Sequence, residues 1–338
     1  MDKDQINRLI HIGTYNGKLL KGKLIETHIS WVILTKKNVF KIKKKMQYSF
    51  LNFSSLDKRK FYCERELLLN SRFSDIYLDV VPIKSDGKKL FIGKGEGMIM
   101  DYAVRMKRLQ TAKQMNHLLK KKCISKKQIS ILANKIAVFH KGAKLIHSPF
   151  KITRAKREFN DILSNIKWVK VNMGNRYVDL IERNVRNSDI FIDQNENFIK
   201  DRIKKGFWRD VHGDLHSKNI FLYKDPIIFD CIEFNDNFRQ IDVLNEVAFF
   251  CMDLEAFQRV DLSKQFMKTY LETFPCMKTE HEEKLFTYYK CYRANVRAKV
   301  NILRVIQSND KLQVKNYILE IEKYLKLMDC YSSKTDSS

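Results

Sequence analysis

Glycine and proline are scarce in this chain, 11 and 4 of 338 residues, which excludes collagen-like repeats and Pro/Gly-rich disordered tracts. The seven cysteines are odd in number and contain no C-x-x-C pair, so their spacing encodes no disulfide framework. Reduced thiols in a cytoplasmic protein are the expectation, with Cys231 a small buried hydrophobe rather than a nucleophile. No apolar run approaches the length of a bilayer span. The opening Met1-Asp2-Lys3-Asp4-Gln5 lacks an apolar core behind a basic flank, so no secretory leader is expected. G-x-x-x-x-G-K-[ST] and G-x-S-x-G are both absent, which removes a P-loop and a serine-nucleophile elbow from the sequence.

Acid is also short. Lys and Arg number 64 against 39 Asp and Glu, a formal net charge of +25. Such a field attracts nucleic acid, anionic membranes or phosphorylated substrates. The cations are spread along the chain, however, and short runs such as Lys43-Lys44-Lys45 accompany no nucleic-acid module. Solvated positions of biased composition explain most of them.

What is present is a mixed first hundred residues followed by helices. Trp31–Leu34 and Val39–Lys43 read as a hairpin whose second strand puts Val39, Lys41 and Lys43 on one face. A helix is expected over 56–71. Strands are expected at Tyr77–Val81 and Met98–Tyr102, with turns at Ser85–Lys88 and Gly93–Gly97. Beyond Val104 the pattern becomes helical. Ile129, Leu132, Ala133, Ile136, Ala137 and His140 keep helical spacing, as do Leu244, Val247, Ala248 and Cys251. The segment 152–205 reads as helix broken at Gly174-Asn175 and again at Asn195–Asn197. The longest stripe is Leu285, Tyr288, Tyr289, Tyr292, Val296, Val300 and Leu303. The division expected is residues 1–103 as a sheet-rich lobe, 104–331 as a helical lobe, and 332–338 as a polar, frayed tail.

The chemistry concentrates in Val211-His212-Gly213-Asp214-Leu215-His216-Ser217-Lys218-Asn219-Ile220 and in Ile227-Ile228-Phe229-Asp230-Cys231-Ile232-Glu233. An Asp, an Asn five residues later and an apolar strand ending in a second Asp form the layout of a phosphotransferase site. The first acid can take a proton from an attacking hydroxyl. The Asn and the second acid can offer oxygens to Mg²⁺ held against nucleotide phosphates. A site of this kind also needs a strand lysine for the phosphates, a helical glutamate to hold it, and a linker whose backbone addresses the base. Lys41, Glu66 (or Glu64) and Asp101-Tyr102-Ala103-Val104 follow in the required order, with Asp101 and Ala103 as the nucleotide-addressing positions. A turn-and-cap role for Asp214, Asn219 and Asp230 leaves the surrounding His-Gly-Asp-Leu-His unexplained. His212 fits a hydrogen-bonded loop role better than a metal site, whereas His216 could touch metal or substrate.

Taken together, these segments resemble the aminoglycoside-phosphotransferase-like branch of the protein-kinase-like superfamily. More narrowly, they resemble the bacterial family often met fused to a C-terminal P-loop ATP-binding domain. The similarity is carried by Glu26–Ser30, Val39–Lys44, Phe50–Leu56, Arg59–Asn70, Tyr77–Ile83, the 211–235 block, Ile241–Leu244, Met252–Glu255 and Tyr292–Val300. It implies an α+β, bilobal kinase-like fold and an ATP-dependent, Mg²⁺-requiring small-molecule kinase. In that reading Asp214 is the base, Asn219 and Asp230 are metal ligands and Lys41 is the phosphate lysine. Asp242 would brace the catalytic loop. The sequence departs from the pattern by lacking the fused P-loop domain, a role a separate ATPase partner could fill. The Glu26–Ser30 loop has no glycine, leaving backbone N–H groups and the Thr27 and Ser30 hydroxyls to cradle phosphate. Arg293, Arg297 and Arg304 on one helical side suggest a neutral or anionic acceptor over a polycationic one, with a solvated basic helix side as the competing explanation. The competing readings are a nucleotide-binding pseudokinase or interaction module without transfer activity and, on charge alone, a nucleic-acid-binding protein.

Overall fold

A computed structural model of the chain describes residues 1–48, 51–308 and 310–335. Phe50, which opens one of the segments carrying the resemblance, lies outside the described residues, as do 336–338. The chain forms two compact units, Met1–His117 with Asn219–Phe238, and Leu118–Lys218 with Arg239–Ser338. The division thus falls after His117 rather than after residue 103, and the block carrying Asn219 and Asp230 joins the N-terminal unit.

In the N-terminal unit a helix, α1 (Lys3–Ile12), precedes an eight-stranded sheet. Its strands are β1 (Thr14–Tyr15), β2 (Lys18–Leu19), β3 (Lys23–Glu26), β4 (Ser30–Leu34), β5 (Asn38–Lys43), β6 (Tyr77–Ser85), β7 (Leu90–Ile92) and β8 (Met98–Lys107). They lie in the order β2-β1-β7-β6-β8-β5-β4-β3. The alternation of β5 sorts its side chains onto two faces. Phe40 and Ile42 enter a core with Ile33, Ile83 and Ala103, into which α1 sends Ile6 and Leu9. Val39, Lys41 and Lys43 point the other way, toward helix α2 (Leu56–Asn70). Ser55 caps α2 by accepting from Lys58 N, 3.3 Å.

The buried face of α2 is Arg59, Cys63, Glu66 and Asn70, mostly polar, whereas Phe61 and Leu68 are exposed. A stripe that hides a carboxylate and two other polar groups is built to hold charge rather than to fill a core.

The second unit is helical: α3 (Lys126–Gly142), α4 (Ile152–Asn160), α5 (Ile166–Met173), α6 (Asn175–Lys204), α7 (Val243–Ala256), α8 (Val260–Thr273), α9 (Glu280–Gln307) and α10 (Lys311–Thr335). The stripe on α3 is buried as expected, from Ile129 to His140. The break expected at Asn195–Asn197 does not occur. Asn195 is buried within α6, donating Nδ2 to Phe191 O, 2.8 Å, and meeting His281 Nε2 at 2.5 Å, so its polar atoms are satisfied without leaving the helix. On α9 the expected stripe holds through Tyr289, after which Ala294, Ala298, Ile302 and Val305 are buried in place of Val296, Val300 and Leu303. The tail expected from Ser332 continues α10 to Thr335, with Ser332 buried.

Arg202 is fully buried and binds both carboxylate oxygens of Asp242, 2.6 and 3.0 Å, as well as Glu282, 3.0 Å. Asp242 in turn caps α7 through Leu244 N, 2.9 Å. Arg202→Ala is expected to cost about 3–5 kcal/mol, since it strands two carboxylates. Urea denaturation reads this as a lowered midpoint, and an unshifted midpoint would show that the pair is dispensable.

Candidate active site

The N-terminal unit gathers Lys41, Lys43, Glu66, Asp230 and Glu233. Lys41 Nζ donates to Glu66 Oε1, 2.8 Å, and to Asp230 Oδ1, 2.5 Å. Lys43 Nζ donates to Glu66 Oε2, 2.8 Å, and to Glu233. The choice between Glu64 and Glu66 closes on Glu66. Glu64 faces solvent and pairs with Lys60, 3.8 Å away. Burial alone would push the Glu66 carboxyl up, but Lys41 and Lys43 outweigh it and hold the group at about 2. Burial likewise opposes the Lys41 ammonium, and Asp230, Glu66 and Glu233 reverse this to raise it well above its ordinary value. Glu233 shifts upward because burial and the Glu66 charge exceed the help of Lys43 and Lys41.

Asp230 is placed by backbone contacts. Ile220–Phe221 pairs antiparallel with Ile227–Ile228, with Ile220 opposite Ile228, and Phe229 N donates to Asn219 O, 3.1 Å. Asn219 and Asp230 therefore emerge at the same end of one ribbon, which explains their eleven-residue separation. Asp230 N donates to Tyr77 Oη, 3.0 Å, and Cys231 N to Asn70 Oδ1, 2.8 Å. These two bonds fix Asp230 at φ 65°, a left-handed conformation that costs a non-glycine residue about 1–3 kcal/mol and persists only where surroundings impose it. Its carboxylate stays open, with 42% of the side chain exposed.

Asp101 and Ala103 do not stand at a linker. The strand expected to end near Tyr102 runs to Lys107; Ala103 lies between Ile42 of β5 and Val81 of β6, and Asp101 pairs with Ile83 of β6 beside a bulge. Asp101 is buried against Arg59 Nε, 2.9 Å, and Ala103 belongs to the core. The Thr27 hydroxyl closes its own turn, donating to Ser30 O and accepting from Ser30 N, both 2.9 Å, and Ser30 is fully buried. Neither hydroxyl is presented for cradling phosphate.

The helical unit carries Asp214. Its loop is held from α7, where Glu246 accepts from His212 N, 2.8 Å, and Gly213 N, 2.9 Å. Asp253 accepts from Ser217 N, 2.8 Å. Arg293 on α9 donates to Gly213 O, 3.2 Å. The brace expected of Asp242 thus falls to Glu246. Sequence reasoning missed Glu246, Asp253, Asn70, Tyr77, Lys43 and Glu233. For Lys43 alone was there a signal, its shared face with Lys41.

His216 Nε2 lies 3.3 Å from Asp214 Oδ2. Burial raises the Asp214 carboxyl, but His216, Arg297 and His212 more than offset it and hold the group well below the carboxylate range. Asp214 is therefore an anion at neutral pH. Lys218, although its surface is open, is lowered to about 8 by burial and by the like charges of Arg297 and Arg304.

Solved structures share this fold. A thermostable mutant of the aminoglycoside phosphotransferase APH(4)-Ia matches with TM-score 0.52 over 94% of this chain and 96% of its own, at 11% identity. A choline kinase from Cryptosporidium parvum gives 0.52 over 94% and 92%, and a Plasmodium vivax ethanolamine kinase 0.51 over 91% and 83%, both at 11% identity. The chain has the kinase-like α+β fold of small-molecule phosphotransferases. No family model matches. Among curated proteins, uncharacterized proteins of Mycobacterium tuberculosis and Mycobacterium bovis are each 29% identical over 293 residues, 83% of this chain. The chain spans 55% of the length of these relatives. Among the described residues no helix is long and apolar enough to cross a membrane.

Stability from the Glu66 pairing has a defined pH window. With its carboxyl at about 2 in the folded chain against an ordinary 4.5, the unfolded state binds more protons between those values, so stability rises with pH there. The contribution is present above about 4.5 and lost as pH falls toward 2. Glu66→Gln is expected to flatten this part of the profile, measured by denaturant midpoints from pH 2 to 7. A profile parallel to wild type would remove Glu66 from the acid transition.

Proposed function

We propose that the chain transfers the γ-phosphoryl group of a nucleoside triphosphate, ATP in the first instance, to a hydroxyl of a small molecule. One observation carries the reading: a single strand lysine, Lys41, bridges a fully buried helical glutamate and the exposed carboxylate that ends the ribbon. A lysine so held cannot swing away from where phosphate would lie, and positioning with charge neutralisation is most of what phosphoryl transfer requires.

Asn219 and Asp230 offer an amide oxygen and a carboxylate. Among the described residues no cluster of three or more His, Cys, Asp and Glu could hold a metal by protein alone. Mg²⁺ commonly takes one or two carboxylates and completes its shell with phosphates and water, so this donor set fits it. Bound there, Mg²⁺ would neutralise charge on the nucleotide phosphates. The five groups of the N-terminal cluster sum to two ammoniums against three carboxylates, one negative charge in excess, which a cation would balance.

Asp214 orients the acceptor hydroxyl and takes its proton. The acceptor oxygen forms the new bond to phosphorus, the bond from phosphorus to the β–γ bridging oxygen breaks, and the nucleoside diphosphate leaves with that electron pair. His216 keeps Asp214 ionised and aligned. Glu246 and Arg293 fix the loop backbone on either side of Gly213, so they act by positioning.

Asp214→Ala is expected to lower acceptor-dependent transfer by about 10²–10⁴-fold while Mg-nucleotide binding persists. Lys41→Met and Asp230→Ala are expected to weaken nucleotide binding as well. Radiolabelled ATP and GTP with a metabolite panel supply the measurement. Nucleotide binding without any Asp214-dependent transfer would instead identify a nucleotide-binding module.

A further inference from the structure

Three arginines on α9 create a charge environment that phosphoryl transfer does not itself require. Arg293, Arg297 and Arg304 follow at intervals of four and seven residues, and at 3.6 residues per turn they share one face of the helix. Arg293 joins that face to the catalytic loop through Gly213 O, 3.2 Å, and to α7 through Asn245 Oδ1, 2.6 Å. Arg297 stands about 6 Å further along the axis and Arg304 about 10 Å beyond that, from the helical rise.

Elsewhere the buried arginines meet carboxylates: Arg202 with Asp242, Arg239 with Asp210, Arg59 with Asp101. Arg297 is equally buried, 5% exposed, yet among the described residues no carboxylate pairs with it within 4 Å. Its guanidinium lies 5.5 Å from the Tyr324 ring, and its Nε is buried without a hydrogen-bond partner. Arg304 meets the Tyr317 ring at 6.0 Å and Asn301 Oδ1 at 3.4 Å. The acids whose fields reach Arg297, Asp214 and Asp253, are already engaged by His216 and by Ser217 N. Lys218, whose field meets those of Arg297 and Arg304, adds a third cation four residues after Asp214. The burial of Arg297 is outweighed by Tyr324 and the fields of Asp253 and Asp214, whereas burial and the Arg297 charge push Arg304 down. The group of cations is thus left short of negative charge, which an anionic ligand would supply.

We propose that the acceptor is an alcohol already carrying an anionic group, phosphate or carboxylate, bound by Lys218, Arg297 and Arg304 while Asp214 serves its hydroxyl. The assignment rests on the phosphotransferase reading and deepens it. A cationic alcohol would meet like charge here.

Calorimetric titration of the full chain with inorganic phosphate and with glycerate, at saturating Mg-ADP to fill the nucleotide's phosphate positions, tests it. At least one probe is expected to bind, at least tenfold more weakly to R304Q and K218Q than to wild type, whereas choline does not bind. R297Q is expected to lose binding. Because Arg297 is buried, R304Q and K218Q carry the test if R297Q does not fold. Binding of neither probe overturns the proposal, and so does equal binding by wild type and all variants, which would mean an adventitious ion only. Transfer from ATP to ribose 5-phosphate against ribose, and to glycerate against glycerol, then separates phosphate from carboxylate. Arginine-dependent anion binding with no transfer to any alcohol, and no effect of Asp214→Ala, would overturn the acceptor assignment through failure of the phosphotransferase reading, with the anion site left standing.

Discussion

The N-terminal unit depends on one buried carboxylate shared by two lysines. Glu66 has no solvent exposure, and a charge taken so far out of water is tolerated only when paired and hydrogen-bonded on both oxygens. Alternate residues of β5 supply the two donors, because Lys41 and Lys43 fall on one face of the strand. Lys43, also fully buried, spends its remaining capacity on Glu233. Lys41 is the one left with an outward neighbour, Asp230. The division of labour follows from depth along the strand: the inner lysine neutralises the cluster, and the outer one is pinned yet still reaches the open carboxylate.

Both functional loops are then fixed by the same device, side chains from regular elements gripping loop backbone N–H groups. Asn70 and Tyr77 hold the amides of Cys231 and Asp230. Glu246 holds those of His212 and Gly213, and Asp253 that of Ser217. A loop held this way needs few glycines, since its conformation is imposed by partners rather than permitted by an absent Cβ. Gly213, at φ 86°, is the position in the Asp214 loop where that absence is used.

This division also explains what could be read from the chain. The spacing from Asp214 to Asn219 to Asp230 is local, set by a short loop and a two-stranded ribbon, and so it is visible as a pattern. Lys41 was legible because alternation along a strand is a period-two signal. Glu66 and Glu64 were not separable, because the buried stripe of α2 is polar and offers no apolar face to orient the helix. The braces Asn70, Tyr77, Glu233 and Glu246 act on partners 33 to 190 residues away, which no local period encodes. Asp101 and Ala103 were placed at a linker because the pattern beyond Val104 reads as helical, whereas Arg105 and Lys107 still belong to the strand. Arg105 instead pairs across to Asp79 and Lys107 to Asp75, both ions at the surface of a strand that continues.

The positive charge of the chain divides in the same way. Most of the 64 lysines and arginines are surface groups, and at physiological salt their fields fade within about 8 Å. They can raise the rate at which anions arrive but cannot choose among them. Selection needs cations with low exposure and no protein counter-charge, where the local dielectric preserves their interaction. Arg297 is buried with its Nε unpartnered and, among the described residues, no carboxylate within ion-pair distance, and the ordinary surface lysines are not. A transferase whose donor is a polyphosphate and whose acceptor is also an anion must overcome repulsion between its own substrates. In the proposed reading Lys41 serves the donor phosphates and the arginine face of α9 the anionic group of the acceptor, so that neither substrate relies on the diffuse charge of the whole chain.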